Sequence, residues 1–193
     1  MPQDLRAGIS TYWTSFGQGP RQALAIHCSL AHSGSWGGMA RHLSGAFTIR
    51  AFDMPGHGRS APWDGRGEIQ EETARIAADL CDGPTDLIGH SFGATAALRL
   101  AVMRPDLVRS LVLIEPVFFA AGFGADPGAR AAFDDVMGGF AEAMAAGDRM
   151  AAARAFTTVW GAGAAWDDLP KQQRHAMAAQ MPLIDAAQPV LCE

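Results

Sequence analysis

The sequence predicts an α/β protein, a doubly wound and mostly parallel sheet followed by a helical segment, and three observations predict it. Short apolar and β-branched runs alternate with helix-length patterns over the first 116 of 193 residues. These runs are apolar throughout rather than alternating, as strands are when helices cover both faces of a parallel sheet. After Pro116 the composition turns to alanine, glycine and methionine, and no strand pattern returns. A core over residues 1–116 and a helical cap over 117–193 follow from that shift.

The elements can be justified in order. Residues 11–16 (TYWTSF) and 23–27 (ALAIH) read as strands, followed by a helix over 36–43 and a strand over 47–53 (FTIRAFD). A helix over 68–80, a strand over 86–89 (DLIG), a helix over 92–103 and a strand over 110–115 (SLVLIE) complete the core. In the third helix Ala94, Ala97, Leu98, Ala101 and Val102 keep the spacing of one buried face, and Pro105 stops it. The cap carries helical patterns near residues 129–146, 149–159 and 170–180. Its Phe118, Phe119, Phe123, Met137, Phe140, Met144 and Trp160 suit packing first and an apolar pocket second.

Composition removes several classes of function. The net charge is −5, Lys171 is the one lysine, and the arginines are scattered, so no basic stripe exists to follow a nucleic-acid backbone. No apolar run approaches the roughly 20 residues of a membrane-spanning helix. The N-terminus carries Asp4 and lacks the basic-then-apolar order of a signal peptide, so a cytoplasmic protein is expected. Cys28, Cys81 and Cys192 are odd in number and lack metal-ligand spacing, which predicts reduced thiols and no metal site; no cofactor is expected.

Chemistry concentrates where an apolar strand meets a helix. Gly89-His90-Ser91-Phe92-Gly93 matches G-x-S-x-G at such a junction. The sharp turn needs small neighbours, and the helix N-terminus offers free N–H groups to developing negative charge. Upstream lie His27-Cys28-Ser29-Leu30, followed by Gly34-Ser35-Trp36, and then Asp53-Met54-Pro55-Gly56-His57-Gly58-Arg59-Ser60.

With these three stretches the chain resembles the α/β-hydrolase superfamily. The resemblance implies Ser91 as nucleophile and the backbone N–H groups of Ser29 and Phe92 as the oxyanion hole, with Leu30 replacing Ser29 if the loop register differs by one. Cys28 stands where the family usually has glycine, and a left-handed backbone there would cost free energy that glycine avoids. Asp53 and His57 are expected to anchor their turn by hydrogen bonds rather than to act in catalysis. His27, His32, His42 and His90 have loop or turn explanations, and His90, next to the serine on a sharp turn, should point away from it.

A serine needs a positioned base, and in this fold the acid and then the histidine follow the serine. His175 is the one histidine after Ser91. It follows a stretch, residues 160–170, that resembles part of the cap of bacterial superfamily members, so it is expected on a cap helix. Glu115, ending the SLVLIE run, is the candidate acid, although more often the acid follows the next strand. The resemblance implies that the last two strands, with their acid and histidine loops, would lie beyond Glu193. The chain therefore reads as a C-terminally truncated hydrolase whose SLVLIE strand becomes an apolar sheet edge open to self-association. The expected reaction is hydrolysis of a small apolar ester, thioester or related acyl bond through an acyl-enzyme. The alternative is a non-catalytic remnant without a triad histidine.

Overall fold

The computed structural model of the chain describes residues 3–161, 163 and 165–193. Ala162 and Ala164, within the 160–170 stretch, and Met1 and Pro2 of the N-terminus lie outside the described residues. The chain forms two compact units, Met1–Phe118 and Phe119–Glu193.

The first unit is built on a six-stranded mixed sheet. Its strands are β1 (Gln3–Arg6), β2 (Ile9–Phe16), β3 (Arg21–Ile26), β4 (Phe47–Phe52), β5 (Thr85–His90) and β6 (Val108–Ile114), in the order β1-β2-β4-β3-β5-β6. β1 pairs antiparallel with β2, β2 pairs antiparallel with β4, and β4, β3, β5 and β6 run parallel. β1 is an addition to the sequence reading. Its residues are mostly exposed and carry no apolar pattern, and it pairs with β2 across a turn in which both Ala7 (φ 48°) and Gly8 (φ 86°) are left-handed. That twist suits a two-residue hairpin.

Helices lie on both faces of the sheet, as side-chain alternation requires. Ala23, Ala25, Ile49, Ala51 and Ile88 meet Trp36, Ala40 and the half-buried Met39 and Leu43 of α1 (Gly37–Leu43) and its leading turn. The alternate residues, among them Leu24, Ile26 and Leu87, are also fully buried. α3 (Phe92–Met103) packs on β3, β5 and β6, and α2 (Ile69–Asp79) packs against α3. Each fully buried leucine or isoleucine contributes roughly 1.5–3 kcal/mol.

At the amino ends of the parallel strands, Asp86 is 5% exposed. It accepts bonds from Arg21, from Arg109 Nε (3.0 Å) and Nη2 (2.8 Å), and from the Ser110 hydroxyl (2.6 Å). The Arg21 guanidinium, then that of Arg109, holds its carboxyl below the usual carboxylate range.

The second unit comprises α4 (Phe119–Ala125), α5 (Pro127–Ala145), α6 (Arg149–Trp160) and α7 (Lys171–Cys192). Phe119 packs on Phe133 and Trp160, with ring centroids 4.6 and 5.8 Å apart, and Phe140 packs on Phe156. α7 continues well past residue 180, through Pro182 and Pro189. Its buried stripe of Ala178, Met181, Ile184, Ala187 and Leu191 overrides the local cost of the two prolines. No helix among the described residues is long and apolar enough to cross a membrane.

Candidate active site

The junction of β5 and α3 is a strained turn. Ser91 holds φ 53° and ψ −120°, its N–H donates to the Ile114 carbonyl at 2.9 Å, and its carbonyl accepts the Ala94 N–H at 3.0 Å. A non-glycine residue held left-handed costs about 1–2 kcal/mol, so the surroundings must enforce it. The flanking glycines show how. A Cβ on Gly89 would lie 2.4 Å from Ala94 Cα, and one on Gly93 would lie 2.4 Å from the carbonyl oxygens of both Ile26 and His27. The start of α3 therefore presses on the end of β3, and only glycine at both positions permits it.

That approach brings the loop after β3 to the elbow. Neither the Ser29 N–H nor the Phe92 N–H has a partner among the described residues. Phe92 opens α3, where the first N–H groups have no intrahelical acceptor and the helix dipole favours negative charge. In the loop the left-handed residue is Leu30 (φ 65°), not Cys28. The expected penalty at Cys28 is thus corrected: the turn bends one peptide beyond Ser29, and cysteine in place of glycine is accommodated. Burial raises the Cys28 thiol.

The turn after β4 fastens this loop. Asp53, 2% exposed, accepts the Ser33 N–H at 2.6 Å with Oδ1 and the Arg59 N–H at 2.8 Å with Oδ2, and its carbonyl accepts the Ser60 hydroxyl at 2.6 Å. One carboxylate so ties residues 33 and 59 to the end of β4. His27, 1% exposed, has a tautomer dictated by its partners. Nε2 faces the Met54 N–H at 3.0 Å and must accept, while Nδ1 lies 2.7 Å from the Cys28 carbonyl and must donate. Burial, then the neighbouring His57 ring at 5.2 Å, pushes its pKa down to about 3. His57 Nδ1 donates to the Pro55 carbonyl at 3.0 Å, its Nε2 is buried without a partner among the described residues, and burial lowers its pKa too. Both rings are neutral anchors of the turn. His32 caps the turn before α1 by accepting the Gly34 N–H at 3.1 Å, and His42 lies in helix α1 rather than in a loop.

Glu115 follows β6 in a left-handed conformation (φ 48°). Its exposed carboxylate lies 3.5 Å from His90 Nε2, so the imidazole beside the serine turns to the neighbouring strand end. The Ser91 hydroxyl itself has no hydrogen-bond partner among the described residues. His175 is exposed on α7, with Nδ1 donating to the Lys171 carbonyl at 2.8 Å one turn earlier. Sequence reasoning missed the left-handed backbone at Leu30 and Glu115 and the His90–Glu115 pair. Leucine and glutamate rarely adopt that conformation, so their identity gives no hint of it.

Comparison with known proteins follows the same geometry. Residues 23–191 match the family model described as the alpha/beta hydrolase family. Lipase LipV of Mycobacterium tuberculosis is 43% identical over 101 residues, which are 51% of this chain and 38% of the lipase. The pimeloyl-(acyl-carrier protein) methyl ester esterase of Nitrosomonas europaea is 35% identical over 98 residues, again 51% and 38% of the two chains. This chain thus covers about two fifths of the length of these curated relatives. Among solved structures, an alpha/beta hydrolase from Sphaerobacter thermophilus superposes with a TM-score of 0.69 at 21% identity, covering 99% of this chain and 72% of the other, a likeness of fold.

Proposed function

The chain belongs to the alpha/beta hydrolase family, and on that premise we propose that it is a serine hydrolase acting on a small apolar ester, thioester or related acyl bond. The observation that carries the proposal is Ser91, a non-glycine residue at φ 53° between β5 and α3 whose hydroxyl has no hydrogen-bond partner among the described residues. In the proposed step Ser91 Oγ bonds to the acyl carbon, its proton passes to a general base, and the carbonyl oxygen becomes an oxyanion. Collapse breaks the bond to the leaving group, which takes the proton from the base, and water then hydrolyses the acyl-enzyme.

The Ser29 and Phe92 N–H groups are the proposed oxyanion donors. They have no partner among the described residues, and each such donor is typically worth about 10²–10³ in turnover. Glu115 is the candidate acid, and His90 is the imidazole it faces. Helices α4–α7 are proposed as the cap. The three free thiols, Cys28, Cys81 and Cys192, support a reducing, cytoplasmic setting. The ester-cleaving names of the two relatives support the substrate class.

A second reading is favoured by one observation: among the described residues no imidazole is hydrogen-bonded to the Ser91 hydroxyl. On that reading the serine is not activated and the chain does not turn over. Loss of the base costs on the order of 10⁶ in a serine hydrolase, with about 10³–10⁴ over water left to the oxyanion hole and binding. Labelling with a fluorophosphonate separates the two. Rapid modification of Ser91, absent in Ser91→Ala and retained in His175→Ala, is the expected result. A folded sample that does not label would overturn the catalytic reading in favour of the second.

A further inference from the structure

His27 does more than fasten the turn after β4, because of the carbonyl its ring holds. Its Nδ1–H donates to the Cys28 carbonyl at 2.7 Å, and the Ala31 N–H donates to the same oxygen at 3.2 Å. Residues 28–31 thus close a β-turn with the left-handed angle at its third residue, Leu30 (φ 65°), as in type II. A planar trans peptide points its C=O and its N–H in opposite directions. The far side of the gripped Cys28–Ser29 peptide is the Ser29 N–H, which has no partner among the described residues. Two bonds on the carbonyl therefore aim that N–H away from the His27 ring and the inside of the turn.

The ring is itself held from several sides. Nε2 accepts the Met54 N–H at 3.0 Å, so Nδ1 is the nitrogen that carries the proton. The His57 ring packs on it in a T-shaped contact, with centroids 5.2 Å apart. The His27 carbonyl lies against Gly93, where an added Cβ would come within 2.4 Å of it, so the next peptide departs from the elbow itself. Met54 thereby sets the tautomer, the tautomer holds the Cys28 carbonyl, and the carbonyl sets the direction of the Ser29 N–H. Because His27 is buried, no bulk water stands by to replace the ring as donor.

We propose that His27 is a positioning residue of the oxyanion hole, its Nδ1–H acting through the Cys28 carbonyl to aim the Ser29 N–H at the Ser91 elbow. This role deepens the serine-hydrolase reading and rests on it. Two substitutions in the full chain separate the ring nitrogens. In His27→Asn the side-chain amide reaches the Nδ1 position, so it still donates to Cys28 and gives up Met54. In His27→Gln the amide reaches the Nε2 position, so it keeps Met54 and gives up Cys28. Fluorophosphonate labelling of Ser91 should slow in His27→Gln by at least about tenfold, toward the roughly 10²–10³ of a lost oxyanion donor. In His27→Asn it should recover to within about threefold of wild type, since one donor group replaces another. Residual dipolar couplings of the Ser29 N–H, which need no turnover, should keep the wild-type orientation in His27→Asn and lose it in His27→Gln. Labelling rates that follow the two variants' stabilities rather than the retained nitrogen overturn the role, as does wild-type labelling in His27→Gln; either leaves the hydrolase reading intact. A wild-type chain that does not label, with couplings that respond as expected, sinks the hydrolase reading and upholds the orientation. Nitrogen NMR of wild-type His27 decides even if neither variant folds: a proton on Nδ1 supports the role, and one on Nε2 overturns it.

Discussion

At the carboxyl ends of β3, β5 and β6, three non-glycine residues hold left-handed backbone: Leu30, Ser91 and Glu115. At the amino ends of the same strands Arg21, Asp86 and Arg109 form a saturated ionic cluster in which the one buried carboxylate accepts from two guanidiniums and a hydroxyl. One end leaves N–H donors and a hydroxyl without partners among the described residues and carries backbone strain of roughly 1–2 kcal/mol per residue. The other satisfies its polar atoms with ordinary backbone angles. The difference teaches a division of labour along this sheet: strand starts are finished by polar pairing, and strand ends, the side on which ligands bind in sheets of this kind, carry the strained turns.

Lowering the pH should distinguish the two ends most strongly. His27 is held neutral with a pKa of about 3 against its ordinary 6.5. Between those values the unfolded chain binds a proton that the folded chain refuses. Stability from this group is therefore full above pH 6.5 and falls as pH drops toward 3, by on the order of 5 kcal/mol in all. Asp86 is depressed below the usual carboxylate value, so its contribution stands above about pH 4 and is lost only as pH falls further. Denaturant midpoints followed by circular dichroism should fall in both windows. His27→Gln should flatten the upper window and Asp86→Asn the lower; a midpoint constant from pH 7 to 4.5 would break the assignment at the carboxyl end.

Next in size is the close approach at the elbow. Gly93→Ala drives a Cβ into two backbone carbonyls and should cost about 3 kcal/mol. Gly38→Ala, in helix α1 with open space at its Cβ, should instead stabilise by about 1 kcal/mol. Equal effects in urea titrations would remove the packing explanation of the motif. The smallest effect is expected at Leu30. Leu30→Gly relieves a left-handed angle but gives up side-chain packing and adds unfolded-state entropy, for a net gain below about 1 kcal/mol. A loss beyond 1 kcal/mol in thermal unfolding would show that the loop is held by its leucine side chain rather than strained at its backbone.

Much of this was legible in the chain because it is local. The apolar runs that became β2 through β6 and the helices α1 to α3 each announce themselves within about a dozen residues, but the face expected to be buried in α3 was misplaced toward its end: Val102 is 73% exposed, and Leu100 is buried instead. β1 did not announce itself, because an exposed edge strand such as Gln3–Arg6 needs no apolar pattern when a hairpin turn delivers it to β2. The end of α7 was hidden for the opposite reason. Pro182 signals a stop, and only the buried stripe through Leu191 explains why the helix continues.

By itself the sequence determined the elbow. Gly89 and Gly93 are required wherever a helix start presses this closely on a strand, and that demand is met by residue identity alone. Tertiary structure decided the rest of the site: which loop residue turns left-handed, which tautomer His27 adopts, and that Glu115 meets His90. Each of these depends on groups from strands far apart in the chain. Their separation in space is set by the packing of the whole sheet, which no short run of residues encodes.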